Sequence, residues 1–204
     1  CIVGEPTNPN KLGEMIKIGR RGSLSGKIEI TGTQGHIAYP HLSNNPINTL
    51  VAICKKLKEN KLDNGNKNFQ PSNLEFTSIN VDNKAHNVIP ARAKAKFNIR
   101  YNNLHTSSSL KKKVSLVVKK ISKKNKCKYK IDYMANGEAF LTKPEKTVLL
   151  AKKIIRKITK INPKLSTTGG TSDARFIRKI APCLEFGLVN KTMHRVDECV
   201  SLID

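Results

Sequence analysis

The chain has 204 residues, of which 38 are Lys or Arg and 15 are Asp or Glu, and its formal net charge is +23. This length is compatible with two modest domains. No apolar run reaches the roughly 20 residues that cross a bilayer, and no charged segment followed by an apolar stretch predicts a signal peptide. We therefore expect no membrane partner.

The excess of positive charge raises the possibility of nucleic-acid binding, because basic faces attract phosphate backbones. Of the 38 basic residues, 30 are Lys and 8 are Arg, and the Lys are spread among many Asn and Ile, as an AT-rich genome favours. Aromatic residues, which would stack on bases, make up only 5% of the chain. We expect no nucleic-acid partner.

The cysteines point to a reducing compartment. They are odd in number and never form a C-x-x-C pair, which argues against a disulfide framework and a zinc ribbon and predicts a cytoplasmic protein. They are Cys1, Cys54, Cys127, Cys183 and Cys199.

Residues 20–134 predict one self-contained module. Apolar and polar residues alternate in four segments, which predicts strands, and apolar residues recur at helical spacing in two others. In chain order these are a strand at 22–32, a helix starting at Asn45-Pro46, strands at 73–81 and 92–101, a helix at 107–124 and a strand at 128–133. This order is the split βαβ arrangement of ferredoxin-like domains.

The flanking residues, 1–19 and 135–204, predict part of a second domain. The pattern breaks around Gly137 to Pro144, and the spacing of Leu149, Ile154, Ile155 and Ile158 then predicts a helix over 145–160. A Gly-rich loop, a short helix at 174–180 and an apolar strand at 183–188 follow, which is α/β in character. We expect an α/β chain in which a ferredoxin-like βαββαβ module is inserted between two pieces of a partial α/β domain.

We expect that the sequence is truncated at both ends. Cys1 to Gly4 is a short apolar run that resembles a strand entered midway, and Val200 to Asp204 has no helix stop signal or polar tail.

Two residues at predicted strand ends are candidate metal ligands. Glu5 follows the apolar run Cys1 to Gly4, and ligands gather at the carboxyl ends of strands in open α/β sheets. His194 follows the strand that ends near Leu188, and an imidazole there can bind a metal. Either residue is also compatible with an ordinary surface position.

Two loops offer polar groups for a ligand. In Gln34–His41 either His36 or His41 is placed to act as an acid, a base or an oxyanion donor, although the segment also reads as a simple turn. Ser166–Asp173 precedes a short helix, where free N–H groups and hydroxyls hold carboxylates. The alternative for the second loop is a capped helix with Ser172 or Asp173 as the N-cap.

Arginines stand out in a chain that otherwise prefers Lys. Arg20, Arg21 and Arg100 are candidates for pairing with substrate carboxylates, because a guanidinium binds a carboxylate through two hydrogen bonds. Arg21 also reads as a surface residue, since adjacent strand residues face opposite sides. Asn87 lies between two predicted strands as either a turn former or a ligand contact.

Together these segments resemble the succinyl-diaminopimelate desuccinylase family. The resemblance is carried by CIVGEPT at the start, GRRGSL, GHIAYPH, NVIP and STTGGTSDARFI, and it extends from Cys1 to about Glu198. Members of this family belong to the dinuclear zinc aminoacylase and carboxypeptidase superfamily. The resemblance implies a ferredoxin-like lid, residues 20–134, that forms a homodimer and is inserted in a catalytic domain.

The resemblance also implies an activity and its residues. The reaction is zinc-dependent hydrolysis of N-succinyl-LL-2,6-diaminopimelate, with two zinc ions or, as a substitute, cobalt. Glu5 matches a ligand of one zinc and His194 a ligand of the other. His36 matches a lid histidine that stabilises the oxyanion in the partner subunit's active site. The positions that match substrate-binding residues are Arg20, Tyr39, Asn87, Arg100, Gly170 and Thr171.

Part of the family pattern is missing from these 204 residues. The H-x-D metal motif, the bridging Asp and the Glu-Glu pair that supplies the general base all precede the match to Glu5 in the family. We therefore expect the chain alone to be inactive. A related zinc deacylase such as acetylornithine deacetylase, and a non-catalytic dimerisation module, are the alternatives.

Overall fold

We describe the chain from a computed structural model, which covers residues 1–143 and 145–204. Pro144, where the predicted break in the pattern ends, lies outside the described residues. The strands are β1 (Ile2–Val3), β2 (Met15–Lys17), β3 (Gly19–Arg20), β4 (Gly22–Thr31), β5 (Gly35–His36), β6 (Asn73–Asn80), β7 (Val88–Ile89), β8 (Arg92–Tyr101), β9 (Lys128–Gly137), β10 (Phe140–Leu141), β11 (Lys164–Ser166) and β12 (Leu184–Glu185). The α-helices are α1 (Pro46–Glu59), α2 (Ser107–Lys124), α3 (Lys146–Thr159) and α4 (Ala174–Ile177).

The chain divides into two compact units. Unit 1 comprises Cys1–Arg21, Gly65–Gln70 and Gly137–Asp204, and unit 2 comprises Gly22–Asn64 and Pro71–Asn136. None of the helices in the described residues combines the length and the apolar composition needed to span a bilayer.

Unit 2 contains a four-stranded sheet in the order β6-β8-β4-β9. Strand β8 pairs antiparallel with β4 along its whole length, from Gly22 opposite Tyr101 to Thr31 opposite Arg92, and it pairs with β6 on its other side. With α1 and α2 as the connections after the first and third strands, this is the ferredoxin-like βαββαβ order. The fold class predicted from the sequence is confirmed.

The two helices of unit 2 begin at capped N-termini. The Asn45 side chain accepts a hydrogen bond from the Ile47 N–H, and Pro46 occupies the first turn, where no N–H is required. Thr106 and Ser109 form a reciprocal capping box before α2. Each helix then buries one apolar stripe, made of Leu50, Ile53, Cys54 and Leu57 in α1 and of Leu110, Val114 and Val118 in α2.

Unit 1 contains a mixed sheet in the order β1-β12-β2-β11. Strand β1 is parallel to β12, β11 is parallel to β2, and β12 meets β2 antiparallel where Glu185 lies opposite Lys17. Helix α3 packs on this sheet through Val148 and Ile155. Their cluster also contains Ile16, Ile18 and Leu184.

Three details of unit 1 differ from the sequence-based prediction. Helix α4 ends at Ile177 and not at 180, because the following N–H groups bond three residues back and tighten the last turn. Strand β12 keeps two residues of the predicted six, because only Leu184 and Glu185 hold the pairing register with β1. On α3, Leu149, Ile154 and Ile158 are exposed, since the helix packs through the stripe that contains Val148 and Ile155.

Matched substitutions on α2 test which face of this helix is core. Leu110 is fully buried, so L110A should lower the free energy of unfolding by about 2–5 kcal/mol through lost burial and a cavity. Leu116 is 67% exposed on the same helix, so L116A should change it by less than about 0.5 kcal/mol. Denaturant titration of the two variants measures both values, and equal effects would contradict the helix orientation.

Candidate functional site

Five of the residues singled out from the sequence line one cavity of about 320 Å³ in unit 1. They are Glu5, Arg20, Gly170, Thr171 and His194. Lys17, Thr168, Gly169 and Asn190 line the same cavity. Its volume lies at the lower end of the range for small-molecule sites. The fold therefore brings a carboxylate, an imidazole and two cations to one place from segments up to 189 positions apart in the sequence.

Glu5 is positioned by the pairing of β1 with β12. Val3 lies opposite Glu185, and its C=O accepts the Phe186 N–H at 3.1 Å. A side chain at Gly187 would collide with the backbone of Glu5, so glycine allows the two segments to approach. Glu5 thus follows the carboxyl end of a parallel strand, as the sequence predicts.

The Glu5 carboxyl group lies in an environment that disfavours its charge. Burial raises its pKa above the ordinary value, and the nearby carboxylates of Glu185 and Asp173 raise it further. The Arg20 guanidinium acts in the opposite direction without cancelling these effects. A cation bound beside Glu5 would restore the balance.

His194 has a left-handed backbone, with φ of +62°. Such a conformation is uncommon outside glycine, and where it occurs it is held by surrounding contacts. Here the His194 N–H donates to the Glu198 carboxylate at 3.2 Å. His194 lines the cavity, so the loop after β12 presents an imidazole there.

The Arg20 guanidinium is held by a carboxylate that the sequence reading missed. Its Nε donates to Glu185 Oε2 at 2.8 Å, and its Nη2 donates to the same oxygen. Its Nη1 donates to the Thr168 C=O at 3.1 Å. Glu185 is 1% exposed, and its other oxygen accepts the Ser172 hydroxyl.

Two glycines of the Gly-rich loop differ in what they contribute. Gly169 has φ of +104°, and a side chain there would collide with Nη1 of Arg20. Gly170, the position named from the sequence, lines the cavity, but an added Cβ there would meet nothing within 4 Å. Glycine is therefore required at Gly169 by both backbone and space.

Lys17 is a second cation that the sequence reading missed. Its ammonium group is buried and donates to the hydroxyls of Thr168 at 2.6 Å and Ser166 at 3.2 Å. Burial and the positive charge of Arg20 lower the pKa of Lys17 from 10.5 to about 8, against the opposing charge of Glu185. One Lys among 30 offers no signal in the sequence, since only burial distinguishes it.

The other predicted site residues lie in unit 2. His36 is in β5, which pairs with β7, and the Ile37 N–H donates to the Asn87 C=O at 3.1 Å. The rings of His36 and Tyr39 are 6.1 Å apart between centroids. His36, Tyr39 and Asn87 are therefore exposed and close together at the β5–β7 ladder, whereas Arg100 lies on β8 opposite Ser23 and Asn73.

The residues present fit part of a zinc site. Carboxylate and imidazole groups are ordinary zinc ligands, and Glu5 and His194 place one of each at the cavity. A zinc site needs at least three protein ligands, and the described residues contain no cluster of three or more His, Cys, Asp or Glu suited to a metal. A zinc site in this cavity would therefore need further ligands in addition to Glu5 and His194.

Comparison with known proteins identifies the class. Residues 18–126 match the family model of the peptidase dimerisation domain, and the chain belongs to this family. The match covers most of unit 2 and ends in the turn after α2.

The curated relatives of this chain are succinyl-diaminopimelate desuccinylases. The one from Pelagibacter ubique (strain HTCC1062) is 65% identical over 204 residues, which are 100% of this chain and 53% of that protein. Those of Methylobacterium radiotolerans and Parvibaculum lavamentivorans are each 50% identical, over 100% and 97% of this chain and 52% and 50% of theirs. The resemblance found in the sequence is confirmed, and the chain spans about half the length of the curated relatives it matches.

Solved structures share the fold at low identity. A tripeptidase from Staphylococcus aureus has a TM-score of 0.79 at 15% identity, over 94% of this chain and 50% of that one. The aminopeptidase PepT from Bacillus cereus has a TM-score of 0.75 at 15% identity, over 91% and 48%.

The lowered pKa of Lys17 predicts a dependence of stability on pH. The folded state releases the proton near pH 8, whereas the unfolded chain keeps it up to about pH 10.5, so the unfolded state binds more protons in this window. Stability contributed by Lys17 should therefore rise between pH 8 and 10.5, by at most about 3 kcal/mol. The variant K17M removes this contribution.

Free energies of unfolding of the wild type and K17M, measured at pH 7.5 and pH 10, test this dependence. The difference between the two proteins should shift in favour of the wild type at the higher pH. A difference that stays constant would show that Lys17 keeps an ordinary pKa.

Proposed function

We propose that this chain is the substrate-binding and dimer-forming part of a zinc-dependent succinyl-diaminopimelate desuccinylase. The reaction is hydrolysis of N-succinyl-LL-2,6-diaminopimelate to succinate and LL-2,6-diaminopimelate, a cytoplasmic step in lysine and diaminopimelate biosynthesis. The cavity that combines Glu5, His194 and Arg20 carries the proposal. Its support is the 65% identity to a desuccinylase over the whole chain.

The cations of the cavity suit a substrate with several carboxylates. Arg20 uses three of its five N–H groups on Glu185 and Thr168, so two remain for a ligand. Lys17 lines the same cavity and adds positive charge there, while its three N–H groups bind Met15, Ser166 and Thr168. Thr171 adds a hydroxyl. A carboxylate bound there gains charge-assisted hydrogen bonds in a partly water-excluded site.

Glu5 and His194 would each hold a different zinc ion, completed by ligands that precede Glu5 in the family. Bound zinc supplies a Lewis acid and an activated water for attack on the amide carbonyl. The glutamate that acts as the general base belongs to the same upstream segment. The chain's own contribution is to bind the metal on one side and to orient the substrate carboxylates on the other.

The exposed β5–β7 ladder of unit 2 fits a role in the partner subunit. His36, Tyr39 and Asn87 project from a small ladder of two strands, and Arg100 lies on the neighbouring sheet. In the proposed homodimer, residues 20–134 form the lid that joins the subunits, and His36 donates a hydrogen bond to the developing oxyanion. Residues 1–19 and 135–204 belong to the catalytic domain.

Activity and zinc content of the full-length protein test the metal assignment. The protein that carries the H-x-D and Glu-Glu motifs together with this chain should release succinate from N-succinyl-LL-2,6-diaminopimelate. E5A and H194A should each remove about one of two zinc ions per chain, because each loses a ligand of a different ion. Metal analysis of dialysed protein measures the content, and both ions retained in either variant would contradict the assignment.

Two comparisons complete this test. The 204-residue chain alone should release no succinate, because the bridge and the base are outside it. Acetylornithine, which has a smaller acyl group without a second carboxylate, should be turned over more slowly than the succinyl substrate by the full-length protein. Faster turnover of acetylornithine would favour a deacetylase.

A mixing experiment tests whether His36 acts across the dimer. H36A lacks the lid histidine but keeps Glu5, whereas E5A keeps the histidine but lacks a metal ligand. In a heterodimer of the two, one active site has intact metal ligands and receives His36 from the other subunit. Random reassembly of equal amounts should restore about a quarter of wild-type activity, since half of the dimers are mixed and each has one complete site.

The control is each variant carried alone through the same unfolding and reassembly. Both should stay inactive, and size-exclusion chromatography should show dimers. No recovery in the reassembled mixture would show that His36 serves the subunit that carries it.

A further inference from the structure

The sheet of unit 1 places a charged side chain where an apolar one would be expected. Glu185 lies in β12 between β1 and β2, opposite Val3 on one side and Lys17 on the other. It is 1% exposed. A carboxylate in such a position is costly unless it is paired and fully hydrogen-bonded.

The hydrogen bonds of this carboxylate hold it and Arg20 in one arrangement. Oε2 accepts from Nε and Nη2 of Arg20, and Oε1 accepts from the Ser172 hydroxyl. The sequence predicts Ser172 or Asp173 as the helix N-cap. The structure has Asp173 at the N-cap of α4 without a side-chain cap hydrogen bond, and the Ser172 hydroxyl donates to Glu185. A residue suited to capping is thus used to orient the carboxylate.

The remaining contacts of Arg20 close the arrangement from the other side. The Thr168 C=O accepts from Nη1, and Gly169, which has no side chain, leaves room for this nitrogen. The Arg20 side chain is 10% exposed and lines the cavity. The side chain is therefore fixed with two N–H groups left to bind a ligand.

We propose that Glu185 is a positioning residue that fixes the Arg20 guanidinium for binding a substrate carboxylate. Glu185 acts through Arg20 and does not itself contact the substrate, because its oxygens are used by Arg20 and Ser172. The identity of the substrate rests on the proposed function, whereas the ion pair between Arg20 and Glu185 stands on the geometry. A rigid guanidinium loses less freedom on binding than a mobile one, so the effect should appear mainly in substrate binding.

The test is a double-mutant cycle in the full-length protein with N-succinyl-LL-2,6-diaminopimelate. E185Q keeps the shape of the side chain but removes the charge, and it should raise KM about tenfold while kcat changes less than about threefold. In an R20A background, the same E185Q change should alter KM by less than about twofold, because the group through which Glu185 acts is gone.

Two further variants keep the test decisive. S172A leaves the ion pair intact and removes one hydrogen bond to Glu185, so its KM should rise about threefold. This variant carries the test if E185Q does not fold. E75Q makes the same carboxylate-to-amide change in the exposed Lys58–Glu75 ion pair and should leave KM and kcat unchanged. Thermal unfolding of each variant shows which of them retain the native fold.

The possible outcomes separate this proposal from the function on which it rests. An unchanged KM in E185Q, or an equal rise of KM in the wild-type and R20A backgrounds, overturns the positioning role. If the wild type does not cleave the substrate, the proposed function fails, and calorimetric titration with succinate then tests Glu185 by binding alone. Equal succinate affinity of the wild type and E185Q, or no binding by the wild type, overturns the positioning role as well.

Discussion

The buried ion pair between Arg20 and Glu185 is the constraint on which the cavity of unit 1 depends. Burying two charges destabilises a fold unless each of their donors and acceptors is hydrogen-bonded. Removing one partner leaves an uncompensated charge. The pair connects β3 to β12, and Glu185 lies beside Lys17 in the neighbouring strand. The same strand pairs with β1, which ends just before Glu5. The positions of three functional groups are therefore linked through one buried carboxylate.

The charges of this region are balanced around that pair. Arg20 lowers the pKa of Lys17, and Glu185 raises that of Glu5, so each ion of the pair disfavours the neighbouring group of like charge. An anion near Lys17 and a cation near Glu5 would each relieve one of these repulsions. The cavity thus combines a place for an anion with a place for a metal ion, which is the combination that the proposed function requires.

The sequence predicts unit 2 better than unit 1, because the signals of unit 2 are local. Alternation in β4 and β8, helical spacing in α1 and α2, and the Asn45-Pro46 helix start are each readable within a few residues. In unit 1 the decisive contacts join distant segments. Arg20 was identifiable by its chemistry, but its partner Glu185 is 165 positions away and reads as one acidic residue in an apolar strand. No local pattern reveals that Lys17 is buried.

Ser172 shows how a correct local rule is overridden by tertiary contacts. The sequence before this short helix predicts Ser172 or Asp173 as the N-cap, and the structure has Asp173 at that position without a side-chain cap hydrogen bond. A cap satisfies one exposed N–H, whereas an unsatisfied oxygen on a buried carboxylate costs more free energy. The hydroxyl consequently donates to Glu185, and the first turn of α4 is held by backbone hydrogen bonds.

For the proposed desuccinylase, the same balance of charges gives a physical account of selectivity between acyl groups. A site that uses partly buried cations to bind a carboxylate disfavours a substrate that lacks one, because the cation then loses its hydration without gaining a partner. An acetyl group would leave the two remaining N–H groups of Arg20 unpaired, whereas a succinyl group supplies a carboxylate for a cation of this kind. In the proposed enzyme, selectivity would therefore follow from fixing the guanidinium in place, since a mobile side chain would turn towards water and accept either substrate.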